Sequence, residues 1–308
     1  MAVEVSRESP MPESDSYRIW EDPRNLELIG GAWWLVARRG KQIVGTWLVP
    51  IEAIDSSPIA RRRVRALPYS SPRLTDSDPR RRREVWRELL RWVQTHCTGL
   101  EVPLAPDFAD LGAVCEIGGF LEARHTHVID SHESYRATQN ATVRNHIKKA
   151  STCVRTVWHR DVSTFNFGAS VVGAPADHVL VRKRLSAALA GRGQCEIVEA
   201  VHEDGAVGGV VVASSAGYAI IMHSWFDRRC GIRGIPSLLI DEVVTQIANR
   251  DDQSIIDLEG SVIASVDSFM DGTGARSAPY AIAYWYRERE RLWERLQLSM
   301  DIPGRALP

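Results

Sequence analysis

The first strong hydrophobic pattern along the chain is a pair of β-rich runs, 31–37 and 42–50, joined by a polar turn containing Gly40; this combination predicts a hairpin. Over 79–96 the rhythm lengthens. Val85, Trp86, Leu89, Leu90, Trp92 and Val93 recur there at helical spacing, with a solvated face between them. A short strand over 99–104, a helix over 107–118 and a strand over 123–129 follow, and in the last of these His125 and His127 share one face. Ser131 then opens a long predicted helix with Glu133 in its first turn and Arg144, Lys148 and Lys149 near its end, a charge order that suits the helix dipole.

The second half repeats this grammar. A strand over 154–158, a helix over 175–190 and a strand over 195–202 lead into a meander whose next β-runs cover 207–213 and 217–225. A glycine-containing break over 231–236 separates the meander from an amphipathic helix over 237–249, with Pro236 at its first turn and Leu238, Leu239, Ile240, Val243, Val244 and Ile247 as its apolar stripe. A strand over 254–258, a short helix over 262–270, a strand over 280–286 and an exposed terminal helix over 287–297 complete the series.

Composition narrows the class. At 308 residues the chain exceeds the usual size of one domain, so two modules are expected, and 44% hydrophobic with 25% charged residues is the balance of a folded globular protein. A net charge of −1 excludes a whole-molecule field acting on nucleic acid or membrane. The cysteines, Cys97, Cys115, Cys153, Cys195 and Cys230, are odd in number and scattered, which indicates neither a disulfide framework nor a zinc cluster. Residues 1–16 are polar and proline-containing, read as a flexible tail without the apolar stretch of a secretory signal. No run approaches the roughly 18 apolar residues of a membrane span, and a cytoplasmic location is expected.

Two separated motifs carry a family resemblance. Arg144, Ile147, Lys149 and Ala150 form an Arg-x-x-Ile-x-Lys-Ala segment; Asp257, Glu259, Gly260 and Ser261 form an Asp-x-Glu-Gly-Ser segment, followed by Val266, Phe269, Gly272, Gly274, Pro279 and Tyr280. With the intervening order of strands, glycine turn and helix, residues 136–286 resemble the Fem-like branch of the GNAT acyltransferase superfamily, while the first half matches in outline as a degenerate leading module. The resemblance implies an α/β fold of two tandem GNAT-like modules, each a mixed, largely antiparallel sheet flanked by helices, divided as 17–150 and 151–300. It also implies transfer of an acyl or aminoacyl group to an amine. The co-substrate would be acyl-CoA or aminoacyl-tRNA, with no permanently bound cofactor.

In GNAT folds the donor wedges beside the strand before the glycine turn, with its pyrophosphate on the amides of the next helix. The corresponding residues here are Ser224, Trp225, Arg228, Gly231, Arg233 and Gly234. Arg228 and Gly231 fit the usual Gln/Arg-x-x-Gly-x-Gly/Ala signature, but Arg233 stands where its second small residue belongs. Acyl transfer to an amine further needs donors for a developing oxyanion and a route for the ammonium proton. Glu259 is the candidate base, His223 a candidate proton carrier, and Tyr280, like Tyr284, a candidate proton donor to the leaving group. Asp257, Arg144 and Lys148 are candidates for substrate contact, and Ser261 for a helix cap. The plain alternatives are a hydrogen-bonded strand histidine, packed tyrosines and a Glu259 that only serves the next helix.

His125 and His127 would need a third ligand to hold a metal; nothing near them in sequence supplies one, and no metal is expected. Between Arg61 and Arg91, eleven arginines against four acids leave +7 within a chain of total charge −1. That segment is a candidate contact for tRNA or a nucleotide-linked substrate, or simply a solvated face. A catalytically silent GNAT-fold ligand-binding protein is the competing class, since fold alone confers no activity. The transferase reading requires the loop around Gly231 and the end of the 254–258 strand to face one cleft.

Overall fold

The structure is a computed structural model that describes residues 2–9, 17–25, 28, 31–54, 57–61, 68–170, 176–203, 205–215, 217–251, 254–259 and 264–288. The leading half contains β1 (Val3–Glu8), β2 (Ala32–Arg39), β3 (Gln42–Ile54), β4 (Ser57–Arg61), β5 (Arg73–Leu74), α1 (Pro79–His96), β6 (Gly99–Pro103), α2 (Gly112–Glu116) and β7 (Phe120–Ile129). The remainder comprises α3 (His132–Thr138), α4 (Ala141–Ala150), β8 (Arg155–His159), α5 (Phe167–Ser170), α6 (Ala176–Gly191), β9 (Cys195–His202), β10 (Gly205–Ser215), β11 (Tyr218–Phe226), α7 (Ile235–Arg250), β12 (Ile255–Asp257), α8 (Ala264–Gly272) and β13 (Arg276–Tyr286).

Local chemistry accounts for the clearest elements. Asp78 accepts the Arg80 N–H at 2.9 Å and Pro79 occupies the first turn, so α1 starts where its cap dictates. Its stripe of Val85, Trp86, Leu89, Leu90 and Val93 is fully buried beneath the β2–β3 hairpin, each side chain contributing about 2 kcal/mol. The Trp86 and Trp47 rings meet edge to face at 4.6 Å. In the second half Leu239, Val243 and Val244 of α7 pack in the same way against Val210, Val212, Ala219 and Ile221 of the meander.

All strands join one sheet in the order β1-β2-β3-β4-β6-β13-β7-β12-β11-β10-β9-β8, with β5 on β3. The two halves are interleaved at its centre. β7 pairs antiparallel with β13 and, on its other edge, with β12; β13 pairs on its other edge with β6. The strand that closes each half therefore lies within the sheet of the other half. Pro279 is tolerated in so central a strand because β6 joins β13 only from Ile282 onward.

Several elements differ from expectation, each for a visible reason. The segment read as a flexible tail supplies β1, whose Val3 and Val5 pack on the α1 cluster and whose Glu8 pairs with Arg38 at 2.8 Å. The alternation of Val3, Glu4, Val5 and Ser6 was the available signal. The helix expected over 107–118 is confined to α2, because Asp107 and Asp110 are drawn into ion pairs with Arg18 and Arg82 at 2.6 and 2.9 Å. The long helix from Ser131 breaks at Asn140, which caps a new helix by accepting the Val143 N–H at 2.8 Å and docks its own N–H on the Gly272 carbonyl.

Helices α3 and α4, assigned by sequence to the leading module, pack on α7 instead: Tyr135 and Ala150 belong to its cluster, and Arg136 pairs with Asp241 at 2.8 Å. Ser261 and the terminal helix beyond residue 288 fall outside the described residues. Among the described residues, no helix is long and apolar enough to cross a membrane.

Candidate active site

β11 and β12 run parallel but pair only from Tyr218 and Ile255 to Ile220 and Asp257, whereas β11 continues along β10 to Phe226. Where the pairing ends, a cavity of about 600 Å³ opens. Ile221, Ser224 and Phe226 of β11 line one wall, Leu258 and Glu259 just past β12 another, with Arg228 and Ile232 of the glycine loop, Ile235 at the start of α7, and Val266, Phe269 and Met270 of α8 as the roof. The loop around Gly231 and the end of the β12 strand thus share one cleft.

The loop is shaped by two left-handed glycines, Gly231 at φ 72° and Gly234 at φ 91°. Gly234 caps α7 without a side-chain hydrogen bond; Pro236 has no N–H and the Leu238 N–H bonds to the Gly234 carbonyl, so the amides the first turn can offer are those of Ile235 and Ser237. Asp227 accepts the Arg229 N–H at 2.9 Å, and that bond, with the Arg229 side chain, holds its carboxyl below the usual range.

One irregularity in β11 decides which way its side chains point. Val211 faces His223 and Val212 faces Ile221, so Met222 is an extra, bulged residue and the alternation shifts. Ser224 and Phe226 therefore face the cavity side with Ile221, while Trp225 joins Met222 and Ile220 in the core on the other side of the sheet. Trp225, expected beside the donor, does not line the cavity.

His223 lines the cavity at the strand but turns its ring toward Phe167 and Arg182, whose Nη1 lies 3.4 Å from Nδ1. Arg182 can only donate, so Nδ1 accepts and the proton sits on Nε2. Burial, reinforced by Arg182, pulls the imidazole pKa down to about 3. It is neutral at ordinary pH and a poor proton acceptor, which corrects its reading as a proton carrier. Because the folded pKa lies below the unfolded value of about 6.5, its contribution to stability is complete above that pH and lost as pH falls toward 3. Acidification from pH 6.5 to 5 is expected to cost about 2 kcal/mol through this group. Urea titrations of the wild type and His223→Gln at both values test it, and the same pH dependence in both proteins would refute it.

The remaining candidates separate. Glu259 and Arg228 line the cavity, but Asp257 does not: it is fully buried, and its two oxygens accept four hydrogen bonds. Substrate contact is thereby denied to it. Tyr280 packs edge to face on Tyr69 at 5.6 Å, with the core opposite the cavity, so it too is displaced from the reacting groups. Tyr284 is buried on the same strand and donates to Glu122. Arg144 is exposed on α4 and caps α3 by donating to the Gln139 carbonyl, and Lys148 is exposed further along the same helix.

His125 and His127 do share a face, where α8 meets them with Asp267 at 2.8 Å and Asp271 at 3.0 Å. Among the described residues, no group of three or more His, Cys, Asp or Glu is arranged to hold a metal. Within the arginine segment Arg62, Arg63 and Arg65 lie outside the described residues; among those described, Arg82 and Arg87 pair with Asp110 and Glu116 from outside it, and Arg81 and Arg91 with Asp78 and Glu88 within it. The apolar roof from α8 was missed by sequence reasoning, although the helical spacing of Val266, Phe269 and Met270 carries its signal.

A sheet that splays between two parallel strands, with a glycine loop and helix N-terminus at the opening, defines the tandem GNAT fold. Solved structures agree: the chain is similar to FemX, with a TM-score of 0.61 at 10% identity, covering 94% of this chain and 95% of that one. It is also similar to a tandem GNAT protein from the clavulanic acid biosynthesis pathway, with a TM-score of 0.54 at 14% identity over 89% of each chain. A GNAT-family acetyltransferase from Colwellia psychrerythraea aligns with a TM-score of 0.53 at 12% identity, over 93% of this chain and all of that one. No family model matches the sequence, and no curated protein matches it. At these identities the likeness establishes the fold.

Proposed function

We propose that the protein is an N-acyltransferase that moves an acyl or aminoacyl group from acyl-CoA or aminoacyl-tRNA to an amine. The observation that carries this reading is the cleft itself, where the parting of β11 from β12 brings the glycine-capped start of α7 and Glu259 to one apolar cavity. The donor's phosphates lie on the Ile235 and Ser237 amides at the start of α7, with Arg228 adding charge. Its apolar arm follows Ile221 and Phe226 beneath α8, and the activated carbonyl reaches the bulge at Met222. Met222 is skipped in the β10 register and lies beyond the last β12 pair, which makes its amide the candidate donor to the developing oxyanion.

The amine nitrogen forms the new C–N bond, the C–S or C–O bond to the donor breaks, and Glu259 carries the amine proton, which ends on the departing sulfur or oxygen. The acceptor approaches from the far side of the splayed strands, near His223, whose Nε2 is buried without a partner among the described residues. A neutral Nε2–H there donates a hydrogen bond. The Arg61 to Arg91 segment remains the candidate tRNA contact, weakened by its ion pairs.

The test incubates the protein with labelled acetyl-CoA and, separately, with charged tRNA and a panel of primary amines, and follows both transfer and thermal stabilisation. Glu259→Gln should lower turnover about 100-fold while leaving donor affinity within about twofold. Unchanged turnover would remove Glu259 from the mechanism, and stabilisation by a donor without transfer to any amine would make the protein a binding module.

A further inference from the structure

Asp257 stands at the end of β12, fully buried and bonded to Tyr69 and Tyr218 of the core opposite the cavity, yet one of its bonds reaches the residue that enters the cavity wall, Glu259. Its Oδ1 accepts the Thr126 hydroxyl at 2.6 Å and the Glu259 N–H at 2.8 Å; its Oδ2 accepts the Tyr69 hydroxyl at 2.7 Å and the Tyr218 hydroxyl at 2.6 Å. A carboxylate offers about four acceptor sites, so the set is full. Burial, with the nearby carboxylate, raises both phenol pKa values, and the hydroxyls remain protonated donors. The Trp20 ring meets Tyr69 at 5.1 Å and Tyr218 at 5.0 Å, fixing both phenols against Asp257.

The fourth bond is the informative one. Glu259 has φ +61°, a left-handed conformation that costs a non-glycine residue about 1–2 kcal/mol. It is held there by an Asx-type bond from its own N–H back to Asp257, while the Leu258 N–H is pinned to the His127 carbonyl of β7 at 2.8 Å. Release of that turn would let Glu259 relax to an ordinary backbone conformation and turn its carboxylate away from the cavity wall.

We propose that Asp257 is a positioning residue for Glu259, and that Tyr69, supplied by the leading half of the chain, is part of the same device. The leading half thereby contributes to the chemistry through one hydrogen-bonded carboxylate, without lining the cavity. This inference rests on Glu259 being the proton acceptor proposed above.

Two measurements test it. Tyr69→Phe and Tyr218→Phe each delete one hydroxyl and keep the packed ring. With acetyl-CoA as probe and thiol release as readout, Tyr69→Phe should lower kcat about tenfold with the KM for acetyl-CoA unchanged, and should have an effect under about twofold when Glu259 is already Gln. Equal losses in the two backgrounds would mean that Tyr69 acts independently of Glu259, overturning the inference and leaving Glu259 as the base. Wild-type turnover by Glu259→Gln would instead bring down the parent reading, and the catalytic half of the inference with it.

The second measurement needs no acceptor. Amide hydrogen exchange at Glu259 should quicken about tenfold in either Phe variant, while the amides of the β2–β3 hairpin keep their rates. Unchanged exchange at Glu259 in both variants would show that the hydroxyls do not hold the turn, whatever the activity.

Discussion

Asp257→Ala is expected to lower the unfolding free energy by about 4 kcal/mol, the larger of the two strongest effects anticipated for single substitutions. Three hydroxyls and one backbone amide lose their acceptor at once, the hydroxyls buried and the amide partly so, around a side chain with no exposure. Each orphaned donor costs roughly 1–3 kcal/mol, offset in part by water entering the vacated space. Asp257→Asn preserves shape but turns one acceptor into an amide that meets hydroxyl donors. It should cost about half as much, because the hydroxyls can rotate to accept. Urea unfolding at pH 7 measures both, and a loss below about 1 kcal/mol for the alanine variant would show that the four bonds are not coupled to stability.

Gly234→Ala should be nearly as damaging, at about 3 kcal/mol, for a reason confined to the backbone. A methyl group placed on Gly234 would sit 2.5 Å from the His146 carbonyl oxygen and 2.8 Å from its carbon, and φ is +91°. Backbone of α4 cannot step aside as a flexible side chain would, so the substitution must lift α4 from the start of α7 and disturb the loop. Gly231 provides the internal comparison: its φ of +72° carries strain, but nothing lies within 4 Å of the added methyl. Gly231→Ala should therefore cost about 1 kcal/mol. Equal thermal shifts for the two variants would refute the steric argument, since only the conformational term is common to both.

What could be read in the sequence was local and periodic. The hairpin around Gly40, the α1 helix over 79–96 and the stripe of α7 were legible because spacing alone determines them. The shared cleft between the Gly231 loop and Glu259 was legible too, as a consequence of strand order. The direction of individual side chains was not. The bulge at Met222 is set by packing across two strands; it sends Trp225 to the face opposite Ser224, and no periodicity announces it. Asp257 and Glu259, two apart and expected on the same side, part company because the strand ends between them and Glu259 takes a left-handed turn. The break at Asn140 likewise depends on a distant carbonyl, Gly272, that sequence spacing does not bring near.

The interleaving of β7 and β13 sets the order of events when the chain is made. Once β6 and β7 have emerged from the ribosome, the slot between them stays vacant until Arg276–Tyr286 arrives, more than 140 residues later. At about 5–20 residues per second the nascent leading half waits roughly 10–30 s with unpaired backbone at its centre. Such a template can capture the wrong strand, including the equivalent strand of a neighbouring nascent chain. Translation speed and chaperone protection of that gap, more than the stability of either half, should govern how much native protein a cell obtains.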